Sequence, residues 1–308
     1  MSDSDVAPAR VPTRAPARAP RSLRHAVERR GLSVLRPVII VLAVVATAGP
    51  LLYGVVLSIR PLPSVINEPL NLLPSFAEMD FGSYTQALRS EENGGFGLAR
   101  FMRNTVIVAT GATAASVACS VLGAYAAVRL KFFGRDTING LFLLVYLFPG
   151  IVLAVPLFVL FSRIGLTGSL FGLVIIYMAQ TVPVALYMLR NYFFAVPESV
   201  EEAALIDGCS RAQLIWRVVL PMAMPGIVAT TLYVFVIAWN EFLFALLFLV
   251  DDRERWTVSL GIAQLSEFGV PPTVLMAGSI AITIPVVVGF LAAQRALVSG
   301  LTAGAEKG

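Results

Sequence analysis

Six long intervals of this chain carry no Lys, Arg, Asp or Glu: 37–59, 104–128, 137–162, 164–189, 218–240 and 268–294. Each exceeds the roughly 20 residues that a helix needs to cross the hydrocarbon core of a bilayer. The fifth stays apolar to Val250 apart from Glu241. Hydrophobic residues make up 57% of the chain and charged ones 14%, which places it outside ordinary soluble domains and predicts a polytopic membrane protein. The intervals lack the alternation of barrel strands and are rich in Leu, Val, Ala and Gly, so the expected fold class is all-α with six transmembrane helices.

Orientation follows from the basic residues. The first 36 residues hold Arg10, Arg14, Arg18, Arg21, Arg24, Arg29, Arg30 and Arg36 against Asp3, Asp5 and Glu28, whereas the whole chain nets only +4. This tail, 1–36, is expected to be disordered and to stay cytoplasmic, held to anionic headgroups. The first apolar run begins too late and runs too long for a cleavable leader, so the helix at 37–60 is expected to remain attached. Six crossings return the carboxyl tail, 299–308, to the cytoplasm. The same parity puts 191–221 inside and 61–100 and 251–267 outside.

Counting residues removes several chemistries. The one histidine, His25, lies in the tail, which excludes a histidine-based triad, a two-histidine zinc helix and a multi-histidine cage. The two lysines, Lys131 and Lys307, sit in no glycine-rich phosphate loop. Cys119 falls within a span and Cys209 in a loop, so neither a disulfide between them nor a metal quartet is expected. No cofactor, no metal and no nucleic acid is expected on this chain. Of the acids, Glu241 alone lies inside a span, about 15 residues in, where it reads either as the lining of a solute path with Asn240 or as a structural carboxylate.

The stretch 191–221 is too long for a connection between membrane helices, and it carries its own helix signals. Pro197 suits a first turn, and Glu198, Glu201 and Glu202 favour the positive end of a helix that Gly208 would close in a left-handed conformation. Val200, Ala203 and Ala204 would share a small-residue face suited to a partner. Ser210 would cap a second helix, with Leu214, Ile215, Val218 and Val219 as its apolar stripe up to Pro221. The pair reads as a docking element, or as two helices lying on headgroups; the acids of the first helix disfavour the second reading.

The string EEAALIDGCSR at 201–211, followed by VVLP at 218–221, resembles the signature loop of the permeases of binding-protein-dependent ABC importers. RNTVIV at 103–108, AYAAVRLKFFGR at 124–135, WNEF at 239–242 and QRALVSGLTAG at 294–304 extend the similarity to the carbohydrate branch, in particular the maltose-transporter type. The resemblance implies the type I permease fold, with a core at 101–298 whose five helices lie at about 101–128, 137–162, 167–190, 223–250 and 272–296. It implies that Glu202, Ala203, Ala204, Asp207 and Gly208 couple the chain to a cytoplasmic ATPase. ATP and magnesium would then belong to that ATPase dimer, and a second homologous permease and an extracytoplasmic solute-binding protein would complete the importer.

The same resemblance makes DDRERWTVSLGIAQ at 251–264 the loop that touches the binding protein, with Trp256 either an exposed contact or an anchor at the membrane interface. It also implies that the carboxyl tail reaches between the ATPase subunits, although Glu306 departs from the apolar residue common there. A neutral di- or oligosaccharide is the expected cargo, since no Lys or Arg lies inside a span; a polyol, amino sugar or glycerol phosphate is the alternative. A self-contained secondary carrier would show internal repeats and more charges at mid-membrane.

Overall fold

The computed structural model of this chain describes residues 23–68, 71, 76–147 and 149–305. Among them every regular element is helical. In chain order these are α1 (Leu23–Ser58), α2 (Leu62–Asn67), α3 (Gly82–Leu88), α4 (Leu98–Arg129), α5 (Arg135–Leu147), α6 (Gly150–Arg163) and α7 (Leu170–Phe194). There follow α8 (Glu198–Ile206), α9 (Arg211–Leu214), α10 (Leu220–Met222), α11 (Met224–Asn240), α12 (Leu243–Leu249), α13 (Val258–Glu267) and α14 (Pro272–Ala305). The chain divides between Leu52 and Tyr53 into two compact units. Among described residues, the first holds only the amino-terminal part of α1.

Four helices are long and apolar enough to span a membrane, at Leu35–Ser58, Leu98–Arg129, Leu170–Phe194 and Pro272–Arg295; the bent run Arg211–Asn240 makes a fifth if taken as one. Three expected boundaries need correction. The interval 137–162 is not one helix but α5 and α6, because Pro149 donates no amide and holds an extended ψ of 121° at the start of α6. The expected span 223–250 is interrupted at Glu241 and Phe242 between α11 and α12. The third correction concerns the tail. Helix α1 begins at Leu23, so 23–36 is helical, consistent with a stretch that has no Pro before Pro37 and is rich in Leu and Arg. Residues 1–22 of the expected tail lie outside the described residues, as does Glu306. At the other end α14 continues to Ala305 through most of the expected tail.

The second unit is built on the pair α4 and α7. Small and polar residues let the two backbones approach: Gly111 and Gly123 face Val174 and Leu186, and the Ser116 and Thr181 hydroxyls meet at 2.8 Å. Where α4 and α7 begin, Phe101, Leu173, Ile176, Trp239, Phe244, Phe248 and Leu260 form the larger apolar core, termed the outer core. Where they end, Tyr125, Val128, Leu186, Leu189, Phe193, Leu214, Val219 and Leu220 form a second one, termed the inner core.

Gly226 shows how tightly α7 and α11 meet. A Cβ there would collide with Cγ of Tyr192, so the ring would have to swing aside or the helices separate. Gly226→Ala is expected to lower the amount of folded protein in detergent, and Tyr192→Ala is expected to restore it. Lack of rescue in the double variant would show that the glycine serves something other than this contact.

Candidate coupling surface and solute path

The inner core is the seat of the loop at 191–221. From Arg211 to Met222 the chain is helical throughout, widening to π-helical turns over Ile215–Val219, upstream of Pro221, which offers no amide to the turn before it. Leu214 and Val219 sink into the inner core with Ile215 and Val218 packed against it, as the apolar stripe predicts; Leu220 joins them, and the chain then bends by 77° into α11. Ser210 closes a reciprocal cap with Gln213: its amide donates to Gln213 Oε1 at 2.8 Å and its hydroxyl accepts the Gln213 amide. This second helix is therefore a handle packed on the body of the helical unit.

Helix α8 is held differently. Arg129, the last residue of α4, reaches across the loop and donates from Nε to Glu201 Oε1 at 2.7 Å. Its Nη2 donates to the carbonyls of Phe193 and Val196 at 3.2 and 2.7 Å, at the point where α7 ends; the Phe193 carbonyl also accepts the Val196 amide. One guanidinium thus ties the ends of α4 and α7 to the first turn of α8. The Arg129 and Glu201 side chains are 11% and 9% exposed. The more distant pairing with Glu198, at 3.6 Å and in solvent, adds little.

With Glu201 turned inward, the opposite face of α8 is bare. Val200, Glu202, Ala203, Leu205, Ile206, Asp207 and Gly208 are all exposed, Ile206 at 86%. Ala204 departs from the expected face: it turns inward against the inner core, so the outward surface is Val200, Ala203 and the residues after it. The hairpin closes on Gly208 at φ +86°, with the Gly208 amide on the Leu205 carbonyl and the Cys209 amide on the Ala204 carbonyl.

The two candidate path residues face different ways. Glu241 turns back on the chain, where its carboxylate accepts from the amides of Phe244 and Ala245 at 3.0 and 3.3 Å and so caps α12. Its remaining surroundings are the α5–α6–α7 groove with Gln180 and Ile176. Asn240 instead points toward α13 and α14, beside Ser259 and Thr283, and spends one amide proton on the Val236 carbonyl at 2.8 Å. Glu241→Gln keeps an acceptor for the α12 amides and is expected to retain at least half of wild-type uptake. Glu241→Ala removes the cap, at a cost of about 1 kcal/mol, and is expected to lower the thermal midpoint. Equal midpoints for the two variants would contradict the capping role.

Trp256 is corrected outright. It is 5% exposed, stacked near Phe101 with ring centroids 5.6 Å apart, and it donates its indole N–H to the Val250 carbonyl. What buries it is an outer clasp that joins segments far apart in sequence. Arg100 pairs with Glu91 at 2.8 Å and with Glu254, Arg253 pairs with Glu91 at 2.9 Å, and Asn104 donates to the Glu254 and Trp256 carbonyls. Arg255 donates to the Gly168 carbonyl. Among the described residues no cluster of His, Cys, Asp or Glu is arranged to hold a metal.

Residues 120–302 match the family of the binding-protein-dependent transport system inner membrane component. The chain belongs to this family. Among its relatives, the trehalose/maltose transport system permease protein MalG of Thermococcus litoralis is 37% identical, over 84% of this chain and 91% of that protein. The inner membrane ABC transporter permease protein YcjP of Escherichia coli is 40% identical over 68% of this chain and 74% of its own length. The fold is shared with a crystal structure of a bacterial ABC transporter involved in the import of the acidic polysaccharide alginate, at TM-score 0.75 and 23% identity over 87% of this chain and 97% of that one.

Within this permease family match lie α8, the Gly208 turn, the handle and the α11–α12 break. Arg129 and Glu201 also fall inside it, and reasoning from the loop alone passed over both as tethers. The available signal was a lone Arg ending an apolar span, two residues before Lys131. Its partner lies 72 positions away and is not readable without the fold.

Proposed function

We propose that this chain is one of two permease subunits of an importer that moves a neutral sugar into a prokaryotic cell across its inner membrane, driven by a separate ATPase. The observation that carries this reading is the α8 hairpin: a short helix with a bare outer face, clamped from behind by Arg129 and closed by Gly208. Such an element transmits motion between a soluble partner and the ends of α4 and α7. In this reading Glu202, Ala203, Asp207 and Gly208 meet the cleft of the ATPase, and Ala204 supports them from within. ATP and magnesium are bound by that partner, and the chain itself catalyses no reaction.

The topology that goes with it has six crossings, counting α5 with α6 and α11 with α12 as one each, and both termini in the cytoplasm. The outer clasp around Glu91, Arg100 and Arg253 then faces an extracytoplasmic solute-binding protein, with Glu254 and Arg255 in the place once expected for Trp256. Sugar as the cargo is supported by the named substrates of the relatives and by the long runs without Lys or Arg that make up the middle of each span. A polyol, amino sugar or glycerol phosphate is the second reading; the absence of Lys and Arg from those runs weighs against its anionic members.

Copurification followed by reconstitution with a panel of sugars tests the whole. The expected result is an ATPase subunit in the purified complex and hydrolysis stimulated by at least one neutral sugar. A chain that purifies without an ATPase, and that takes up solute without ATP, would overturn the proposal.

A further inference from the structure

Resting on the topology that goes with the importer reading, we infer that the turn between α4 and α5, residues 130–134, is a membrane anchor that enters the cytoplasmic leaflet and takes anionic phospholipid as its partner. Phe133 is fully exposed at its tip, and Leu130 and Phe132 are 39% and 41% exposed beside it. One apolar side chain in water is ordinary on any surface, but three within five residues form a patch that something outside the chain has to cover.

The patch is displayed on a fixed frame. Arg135 donates from Nε to the Ala127 carbonyl at 2.7 Å and from Nη2 to the Val128 carbonyl at 2.9 Å, closing the end of α4. The Leu130 amide donates to the Ala126 carbonyl at 3.0 Å, and Gly134 turns the chain at φ +80° with the Ile138 amide on its carbonyl at 2.9 Å. A turn held this way does not fold its phenylalanines back onto the inner core. Lys131 is exposed next to them in sequence, and with Thr137 and Ile138 they border an open hollow of about 750 Å³, room for a lipid headgroup.

Two observations say what covers the turn. The first is depth. The uncharged run 104–128 of α4 is about 38 Å long at 1.5 Å per residue, against a hydrocarbon core of about 30 Å and some 40–45 Å with headgroups. A helix that fills the core therefore leaves Arg129 and Lys131 among the headgroups, with the two rings beside them at the acyl boundary. The apolar surface also continues from the turn toward the core, because Ile138, Leu141 and Val145 are exposed at steps of three and four along α5.

The second is charge. Residues 129–136 carry Arg129, Lys131 and Arg135 against Asp136, a net +2, and the cytoplasmic leaflet is negative. The exposed acids of α8, Glu198, Glu202 and Asp207, have the opposite preference. Lipid thus suits the turn and a soluble partner suits α8, which argues against the ATPase as the cover of Phe133. The two surfaces meet at Arg129, which ends α4 one residue before the turn and holds Glu201 of α8. An anchored turn fixes, against the membrane, the helix end that seats α8.

The test uses the complete importer, with Cys119→Ser and Cys209→Ser as background and a nitroxide on Phe133→Cys. It is placed in vesicles of phosphatidylcholine alone or with about a third phosphatidylglycerol. Collisions with oxygen, which gathers in the bilayer, are compared with collisions with a water-soluble nickel chelate added on both sides. Oxygen is expected to dominate in both vesicles, with the ratio about fivefold higher in the anionic ones, the scale of one lysine near an anionic surface. Lys131→Gln is expected to bring the two ratios together. A label met mainly by nickel, a label shielded from both by a partner chain, or a parent ratio equal in the two vesicles overturns the anchor while the importer reading stands. With Cys119→Ser alone, Cys209 is expected not to react with a membrane-impermeant maleimide in intact cells. Reaction there defeats the cytoplasmic placement, and the anchor with it.

Discussion

Arg129→Ala is expected to reduce uptake about a hundredfold while leaving the chain in the membrane and in complex with its partners. The substitution strands the Glu201 carboxylate in a site where it is nearly buried, and it takes one donor from each of the Phe193 and Val196 carbonyls just where α7 ends. Removing one partner of a buried ion pair costs about 3–5 kcal/mol. That loss falls on the seating of α8 more than on the whole fold, because the outer core does not involve the guanidinium and the α4–α7 pair is also held through Ser116 and Thr181. If α8 couples the chain to an ATPase as proposed, a helix that is seated a hundredth of the time transmits a hundredth of the strokes.

Lysine at 129 keeps the charge but cannot spread donors over three acceptors in a plane, so Arg129→Lys is expected to fall between parent and Ala. The double variant Arg129→Ala with Glu201→Ala removes the stranded charge and is expected to recover part of the uptake. The three measurements form a cycle. Full transport by Arg129→Ala, or strict additivity in the double variant, would show that the pair does not seat α8.

The long-range nature of that tether explains why it escaped the sequence. Signals local to the loop were legible: Pro197 before α8, Gly208 after it, Ser210 opening the handle, and the apolar stripe that seats the handle in the inner core. All of these act within a few residues, through backbone angles and caps. The Arg129–Glu201 pair, the clasp that covers Trp256, and the inward turn of Ala204 depend on which helices become neighbours.

The break between α11 and α12 was hidden for another reason. Neither Pro nor Gly marks it, and the only polar signal, Asn240 and Glu241, fits a path lining as well as a cap. Its two residues turn out to face different ways, one toward α13 and α14 and the other capping α12. Composition sufficed for the membrane class, since charge-free runs depend on counting alone. The splitting of 137–162 at Pro149 could have been read from the proline itself, which interrupts helices wherever its amide is needed.

Gly208→Val is expected to abolish transport, and the cause lies in the backbone alone. At φ +86° the residue sits in the region where a Cβ approaches its own carbonyl, a cost of roughly 1–2 kcal/mol for an ordinary side chain and more for a β-branched one. No neighbour lies within 4 Å of a Cβ built there, so crowding contributes nothing. The strain is relieved only by moving φ to negative values. That movement would undo the paired hydrogen bonds Gly208 to Leu205 and Cys209 to Ala204, and it would swing α8 away from the Ser210 cap. The outer face of α8 would then no longer meet a rigid cleft while Arg129 still held its first turn. Asparagine tolerates the left-handed region better than alanine, so uptake is expected to rank Gly, Asn, Ala, Val. Were bulk and not φ the cause, Asn would be worse than Ala. Initial rates of uptake, normalised to the amount of complex, therefore separate a conformational requirement at the turn from a steric one imposed by the proposed ATPase partner.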